Sequence, residues 1–366
     1  MSLRDLRRHV GQLAILGFGG HEIPAGLRAI ARDFDLGGVI FFARNVAEPA
    51  QVREMSREAR ALQRELPLWI SVDQEGGRVA RLKDPFTVWP PMITLGRAPG
   101  AHGEQLARRF ARALAAELKA VGINLDYAPV LDIHTNPTNP VIGDRALGER
   151  AGQVASLGRV IIETLQDEGL AACGKHFPGH GDTSTDSHHE LPVVEHPPER
   201  LREVELVPFR AAIEARVASI MTAHVLIPAL DEERPATLSR AVVDGMLKKE
   251  LGYDGLVISD DLEMKAISAR YSPGEAAAAA IAAGCDAFLV CGPDPERHVQ
   301  AIEGIIRAVE TERLPLARVE DALARQRRVK ERFLARTVAP GDDARLGDVL
   351  GRGEHRAIAE EMARFA

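Results

Sequence analysis

Short apolar runs recur along the chain with helical stretches between them, and this alternation restricts the fold more than any other feature. The runs cover 14–19, 38–42, 68–72, 125–130, 170–174, 219–223, 256–259 and 287–291, eight in all. Between them, 49–65, 101–121, 153–168, 200–215, 240–251 and 276–283 mix apolar and charged residues at helical spacing. Strands that alternate with helices pair in parallel, because a crossover helix returns the chain to the same edge. Eight such units predict an α/β fold of the closed (β/α)8 TIM-type barrel, a single domain. The catalytic barrel is expected over 1–336, with further helices at 296–309 and 316–333. Residues 337–366 are expected to form a C-terminal loop and a last amphipathic helix packed on the barrel.

Composition narrows the function. The 366 residues are 45% apolar, which permits a sizeable core. The net charge of -7 argues against nucleic acid as a partner. Aromatics at 4% leave little for base stacking. No apolar run approaches the roughly 20 residues that span a bilayer, so no membrane partner is expected. The first residues turn charged at once, unlike a signal peptide, and a cytoplasmic protein is expected. Cys173, Cys285 and Cys291 lie in apolar contexts and read as reduced, buried thiols. A monomer is expected.

Polar residues stand where the strands end. Asp73 follows 69–72, Asp132 follows 128–131, Lys175 and His176 follow Cys173-Gly174, His224 follows 221–223, and Asp260 follows 257–259. In a barrel the chemistry gathers at the C-terminal strand ends, so five such placements predict a polar pocket at one mouth.

Residues 175–190, Lys-His-Phe-Pro-Gly-His-Gly-Asp-Thr-Ser-Thr-Asp-Ser-His-His-Glu, concentrate titratable groups in a Gly/Pro loop. Within it Asp186 stands two residues before His188. A carboxylate so placed can fix the imidazole tautomer and raise its basicity, which equips the histidine to give and take a proton. The triplet alone reads rather as a solvated loop with a chance pairing, and His189 reads as an exposed neighbour. Asp260, held at the end of a buried strand, suits a nucleophile toward an electrophilic carbon. A helix N-cap is the competing role. Asp261 points elsewhere if the strand pleat persists, and is the better cap. Lys175 and His176, with Asp73 and Arg145, offer directed donors and an acceptor for a hydroxyl-rich ligand. A structural salt bridge competes for Lys175, and Arg145 alone would read as solvated. His176, His180, His188 and His189 raise a zinc site. The first strand lacks a His-x-His, and the Gly/Pro spacing sets no ligand geometry, so no metal is expected.

Taken together these segments resemble family 3 glycoside hydrolases. The resemblance rests on 175–181, on Asp186-Ser187-His188, and on Ser259-Asp260-Asp261-Leu262-x-Met264. Val72-Asp73-Gln74-Glu75-Gly76-Gly77-Arg78-Val79, Ala128-Pro129-Val130-Leu131-Asp132, Gly143-Asp144-Arg145 and Ile220-Met221-x-Ala223-His224 are similar to further blocks of that family, in family order. More narrowly they resemble the bacterial β-N-acetylglucosaminidases that trim peptidoglycan fragments. The resemblance implies a retaining double displacement with Asp260 as nucleophile, and His188, oriented by Asp186, as acid and then base. It implies that Asp73, Arg145, Lys175 and His176 hold a terminal N-acetylglucosamine, and that neither a metal nor an organic cofactor is needed. The implied substrate is a small carbohydrate, N-acetylglucosamine linked β-1,4 to 1,6-anhydro-N-acetylmuramic acid, with or without peptide. A phosphorylase acting through the same histidine, a broader β-glycosidase, a sugar sensor without turnover and a metal-dependent hydrolase are the competing readings.

Overall fold

Period-2 patterning sorts the apolar residues of each strand into two layers. The computed structural model describes residues 2–187, 190–335 and 346–366. It contains eight parallel strands: β1 (Ala14–Leu16), β2 (Gly38–Phe41), β3 (Trp69–Val72), β4 (Leu125–Asp126), β5 (Ala171–Phe177), β6 (Ser219–Thr222), β7 (Leu256–Asp261) and β8 (Ala287–Val290). They close in chain order, with β1 pairing β8 as well as β2. Ile15, Ile40, Trp69, Leu125, Ala171, Cys173, Met221, Leu256, Ile258, Ala287 and Leu289 point into the barrel and form one buried cluster. Their strand neighbours, among them Leu16, Val39, Ile70, Ala172, Ile220, Val257 and Phe288, point out and pack under the helices. The chain is a (β/α)8 barrel, as the alternation predicts.

The strands differ from expectation mainly at their ends. The regular ladder of β4 stops at Asp126, although the Tyr127 N–H still donates to the Val72 carbonyl and the Ala128 carbonyl still accepts from the Cys173 N–H, both at 2.9 Å. Val130 rejoins it through a single bridge to Lys175. β5 and β7 run three and two residues beyond the expected ends, so Lys175, His176, Asp260 and Asp261 belong to strands rather than to the loops after them. Two of the eight barrel pairings are irregular. On β5, Lys175 faces Met221 and Phe177 faces Thr222, which leaves His176 as an extra residue. On β7, Ile258 faces Ala287 and Asp261 faces Leu289, so three steps on β7 match two on β8. Both are β-bulges, and both lie at the mouth. A bulge bends its strand and re-aims its side chains.

Most expected helices are present, including Pro49–Arg60, Ala101–Ala120, Ala151–Asp167, Pro273–Ala283 and Pro295–Glu310. The stretch expected at 200–215 is split. Residues Leu201–Glu205 wind with i→i+5 bonds, and a regular helix begins at Val207–Glu214 next to Pro208. The helix Leu316–Leu334 lies across the floor of the barrel. Its Val329, Phe333 and Leu334 complete the inner cluster, and Gln326 accepts from the Trp69 indole at 3.0 Å. Lys330, fully buried, donates to Gln12 Oε1 at 2.8 Å and to the Gly37 carbonyl at 2.7 Å. The last helix, Gly353–Ala363, lies against Ala101–Ala120, where buried Glu117 accepts from the Gly351 N–H and pairs with the His355 ring.

Candidate active site

At the mouth of the barrel, opposite this floor, a cavity of about 610 Å³ is lined by Asp73, Glu75, Arg145, Lys175, His176, Asp186, Asp260 and Asp261 among others. Six of the seven residues singled out in the sequence are therefore together. The seventh, His188, lies outside the described residues, as does His189. Asp186, two residues earlier, is on the cavity wall.

One side of the cavity is an ion cluster. The Lys175 ammonium lies 2.7 Å from Asp73 Oδ1 and 2.6 Å from Glu75 Oε1. Arg145 clamps the same Glu75 with two bonds of 2.8 Å, Nε to Oε2 and a terminal nitrogen to Oε1. Arg81 reaches the other oxygen of Asp73 at 3.3 Å. Burial would push the Glu75 carboxyl up, but Arg145 and Lys175 outweigh it and hold it far below the usual carboxylate range. Burial likewise opposes charge on Lys175, and Asp73 and Glu75 reverse that, so its ammonium persists at any ordinary pH. The salt bridge considered as the rival role for Lys175 is present. It does not displace the residue from the cavity wall. Glu75 was missed as a functional residue. Its spacing from Asp73, two positions along a Gly-flanked turn, was the only local signal.

The second side is organised by Asp132. This buried carboxylate accepts from the His180 N–H at 2.6 Å and from the His176 N–H at 3.2 Å, and meets His176 Nδ1 at 2.7 Å. Burial works against its ionisation, but the two histidines and their N–H donors hold it below its ordinary value. The His176 ring is thereby fixed at Nδ1 on the cavity wall. His180, by contrast, is structural. Its Nδ1 meets Thr183 Oγ1 at 2.8 Å and its Nε2 meets Ser187 Oγ at 3.1 Å, so both ring nitrogens are spent inside the loop. Burial pulls its pKa down to about 4, and it is neutral at pH 7. Gly181 lets the turn pass so close to Ile133 that a Cβ there would lie 1.8 Å from the Ile133 carbonyl oxygen. At its far end the loop is tied by the Ala266 N–H, which donates to the Ser187 carbonyl at 3.2 Å. Among the described residues no group of three or more His, Cys, Asp or Glu side chains is arranged to hold a metal ion.

Across the cavity stands Asp260. Its Oδ1 accepts from the Asp261 N–H at 2.7 Å. Burial raises its pKa, but the His224 and His176 imidazoles, that N–H and Lys175 bring it below the ordinary value, so it is ionised. His224 is fully buried and bridges Thr237 Oγ1 at 2.8 Å and the Asp261 carbonyl at 2.9 Å. Asp260 caps no helix, since the helix after β7, Lys265–Ser268, has Met264 at its N-cap. Nor does Asp261, the expected cap, perform that role. The bulge brings it to the cavity wall beside Asp260, and its Oδ1 accepts from the Glu263 and Cys291 N–H groups at 3.1 Å each. Burial, with Glu263 and Asp260 nearby, raises its pKa to about 7. An ionised carboxylate, a grip of cations and acids for hydroxyls, and an open mouth suit displacement at a sugar carbon.

Comparison with known proteins agrees. Residues 5–329 match the glycosyl hydrolase family 3 N-terminal domain. Beta-hexosaminidase A of Pseudoalteromonas piscicida is 34% identical over 93% of the chain, which spans 60% of that protein's length. The β-N-acetylglucosaminidase of Paenibacillus sp. superimposes over the whole chain and 69% of its own, with a TM-score of 0.93 and 44% identity. NagZ of Neisseria gonorrhoeae, solved with N-trifluoroacetyl-D-glucosamine, matches over 97% of this chain and 98% of its own, with a TM-score of 0.79 and 30% identity. The chain therefore belongs to glycoside hydrolase family 3.

Proposed function

We propose that this chain is a retaining exo-β-N-acetylglucosaminidase that releases terminal N-acetylglucosamine from muropeptides of the GlcNAc-β-1,4-anhydroMurNAc type. The observation that carries the reading is the single cavity in which ionised Asp260 faces the Asp73–Glu75–Arg145–Lys175 cluster. The cluster and His176 grip the sugar hydroxyls and set the anomeric carbon before Asp260. One Asp260 oxygen bonds to that carbon as the aglycone oxygen departs with a proton from His188. His188, oriented by Asp186, then takes a proton from water, and the water oxygen replaces Asp260 at the anomeric carbon. Two inversions retain the β configuration.

The substrate class is drawn from the family resemblance and the NagZ neighbour. The reading extends to a cytoplasmic monomer. The three cysteines, all buried and unpaired, fit a reducing compartment. Hydrolysis of 4-nitrophenyl N-acetyl-β-D-glucosaminide tests the core of the reading. Wild type should release nitrophenol in the presence of a strong chelator, and Asp260→Asn should lose about a thousandfold or more in kcat. Full activity in Asp260→Asn would remove the nucleophile from this position. Sugar 1-phosphate as the product in phosphate buffer would replace hydrolysis by phosphorolysis. Faster turnover of chitobiose than of a defined anhydro-muropeptide would overturn the substrate class.

A further inference from the structure

The bulge on β7 poses a problem that its own side chains solve. Where three steps on β7 match two on β8, the backbone ladder is interrupted, and N–H groups at the end of β8 and just beyond it lose their regular acceptors. Alternate side chains of β7 and the turn after it take over. Ser259 Oγ accepts from the Leu289 N–H at 3.1 Å. Asp261 Oδ1 accepts from the Cys291 N–H at 3.1 Å. Glu263 Oε2 accepts from the Gly292 N–H at 2.5 Å, and Arg297 pairs with its other oxygen. Residues 259, 261 and 263 thus form a side-chain ladder along the exit of β8, and Asp260 is held between its first two rungs. The Asp261 N–H points at Asp260 Oδ1 because the Asp261 side chain is pinned to Cys291 at the exit of β8 and its carbonyl to His224 on the other side.

We propose that Ser259 and Asp261 are positioning residues for Asp260. They hold the bulge that aims the nucleophile, while neither takes part in bond making. The inference rests on Asp260 being the nucleophile. Asp261 is the more demanding case, because a carboxyl titrating near neutrality beside a nucleophile is also what a general acid looks like. Its Oδ1 is committed to two backbone donors, which is the geometry of a strut. The charged and titratable groups around it are Asp260 on its own strand, Glu263 and Arg297 beyond it, Cys291 just after β8 and His224 just after β6.

The two roles separate by experiment. Asp261→Ala should lower kcat about a hundredfold, since a misplacement of roughly 1 Å carries that cost. KM should stay within about twofold. Asp261→Asn keeps an Oδ1 acceptor and should recover at least about a tenth of wild-type kcat. Ser259→Ala should fall about tenfold, and Ser259→Thr should restore activity. The loss in Asp261→Ala should be the same for nitrophenyl and for poorly activated leaving groups. A loss several-fold greater with poor leaving groups would make Asp261 an acid and overturn the proposal, as would an Asp261→Ala enzyme with wild-type kcat. Crystal structures of wild type and Asp261→Ala read the same question without turnover. The Asp260 carboxylate should shift by about 1 Å or split into two conformers, and an unmoved carboxylate overturns the proposal. Wild type inert on every aryl glycoside would instead reject the proposed function and leave that structural comparison decisive for the strut.

Discussion

At the scale of single residues, the site is a set of charges that would be costly alone and are stable only together. Glu75 is the clearest case, because two cations from different parts of the chain converge on it. Glu75→Ala should cost about 3–5 kcal/mol, the usual penalty for stripping one partner from a buried ionic group. Urea denaturation would show it, and KM for the aryl substrate should rise because Lys175 and Arg145 lose their fixed positions. A stability within about 0.5 kcal/mol of wild type would mean that Asp73 alone suffices for Lys175. Glu75 also shows why some of the site was not legible beforehand. Its partner Arg145 is 70 residues away in sequence, and no local pattern reports such a pairing. Asp73, Lys175, His176 and Asp260 were legible because each directly follows a strand-like run, and the barrel gathers strand ends.

At the scale of elements, the strands were easy to find and their ends were not. An apolar run marks a buried strand wherever it lies, but where pairing stops depends on the neighbouring strand. β7 extends to Asp261 because Ser259 supplies an acceptor to Leu289 thirty residues on, and the β4 ladder ends early at Asp126. The loop after β5 is likewise held from within, through His180. Its imidazole takes a proton near pH 6.5 when unfolded but only near pH 4 when folded. Between those values the unfolded chain binds the extra proton, so stability is full above pH 6.5 and falls as pH drops toward 4. The loss attributable to this one residue is about 2–3 kcal/mol. Thermal midpoints measured from pH 7 to 4.5 should fall more steeply for wild type than for His180→Gln, which can still donate and accept. Parallel curves would assign the acid sensitivity to other groups.

At the scale of the whole molecule, the two ends of the barrel divide the labour. The floor is sealed by Val329, Phe333 and Leu334 of the helix Leu316–Leu334, and the mouth carries the charges. Phe333→Ala should therefore cost about 3–4 kcal/mol while leaving kcat and KM near wild type at temperatures where the variant stays folded. A comparable drop in kcat would show that the floor and the mouth are coupled. The two bulges add chain at one end only. Two pairings shift register within their ladders, one at His176 and one between Ile258 and Asp261, where the nucleophile lies. The active site is thus protected less by what each residue is than by how many there are. Removing one residue between Ile258 and Asp261 would bring β7 and β8 back into step and give a more regular barrel, yet it would turn the nucleophile out of the cavity. Drift by substitution can adjust this mouth gradually. Drift by insertion or deletion, harmless in a surface loop, would here exchange a working enzyme for a better-knit sheet in a single event.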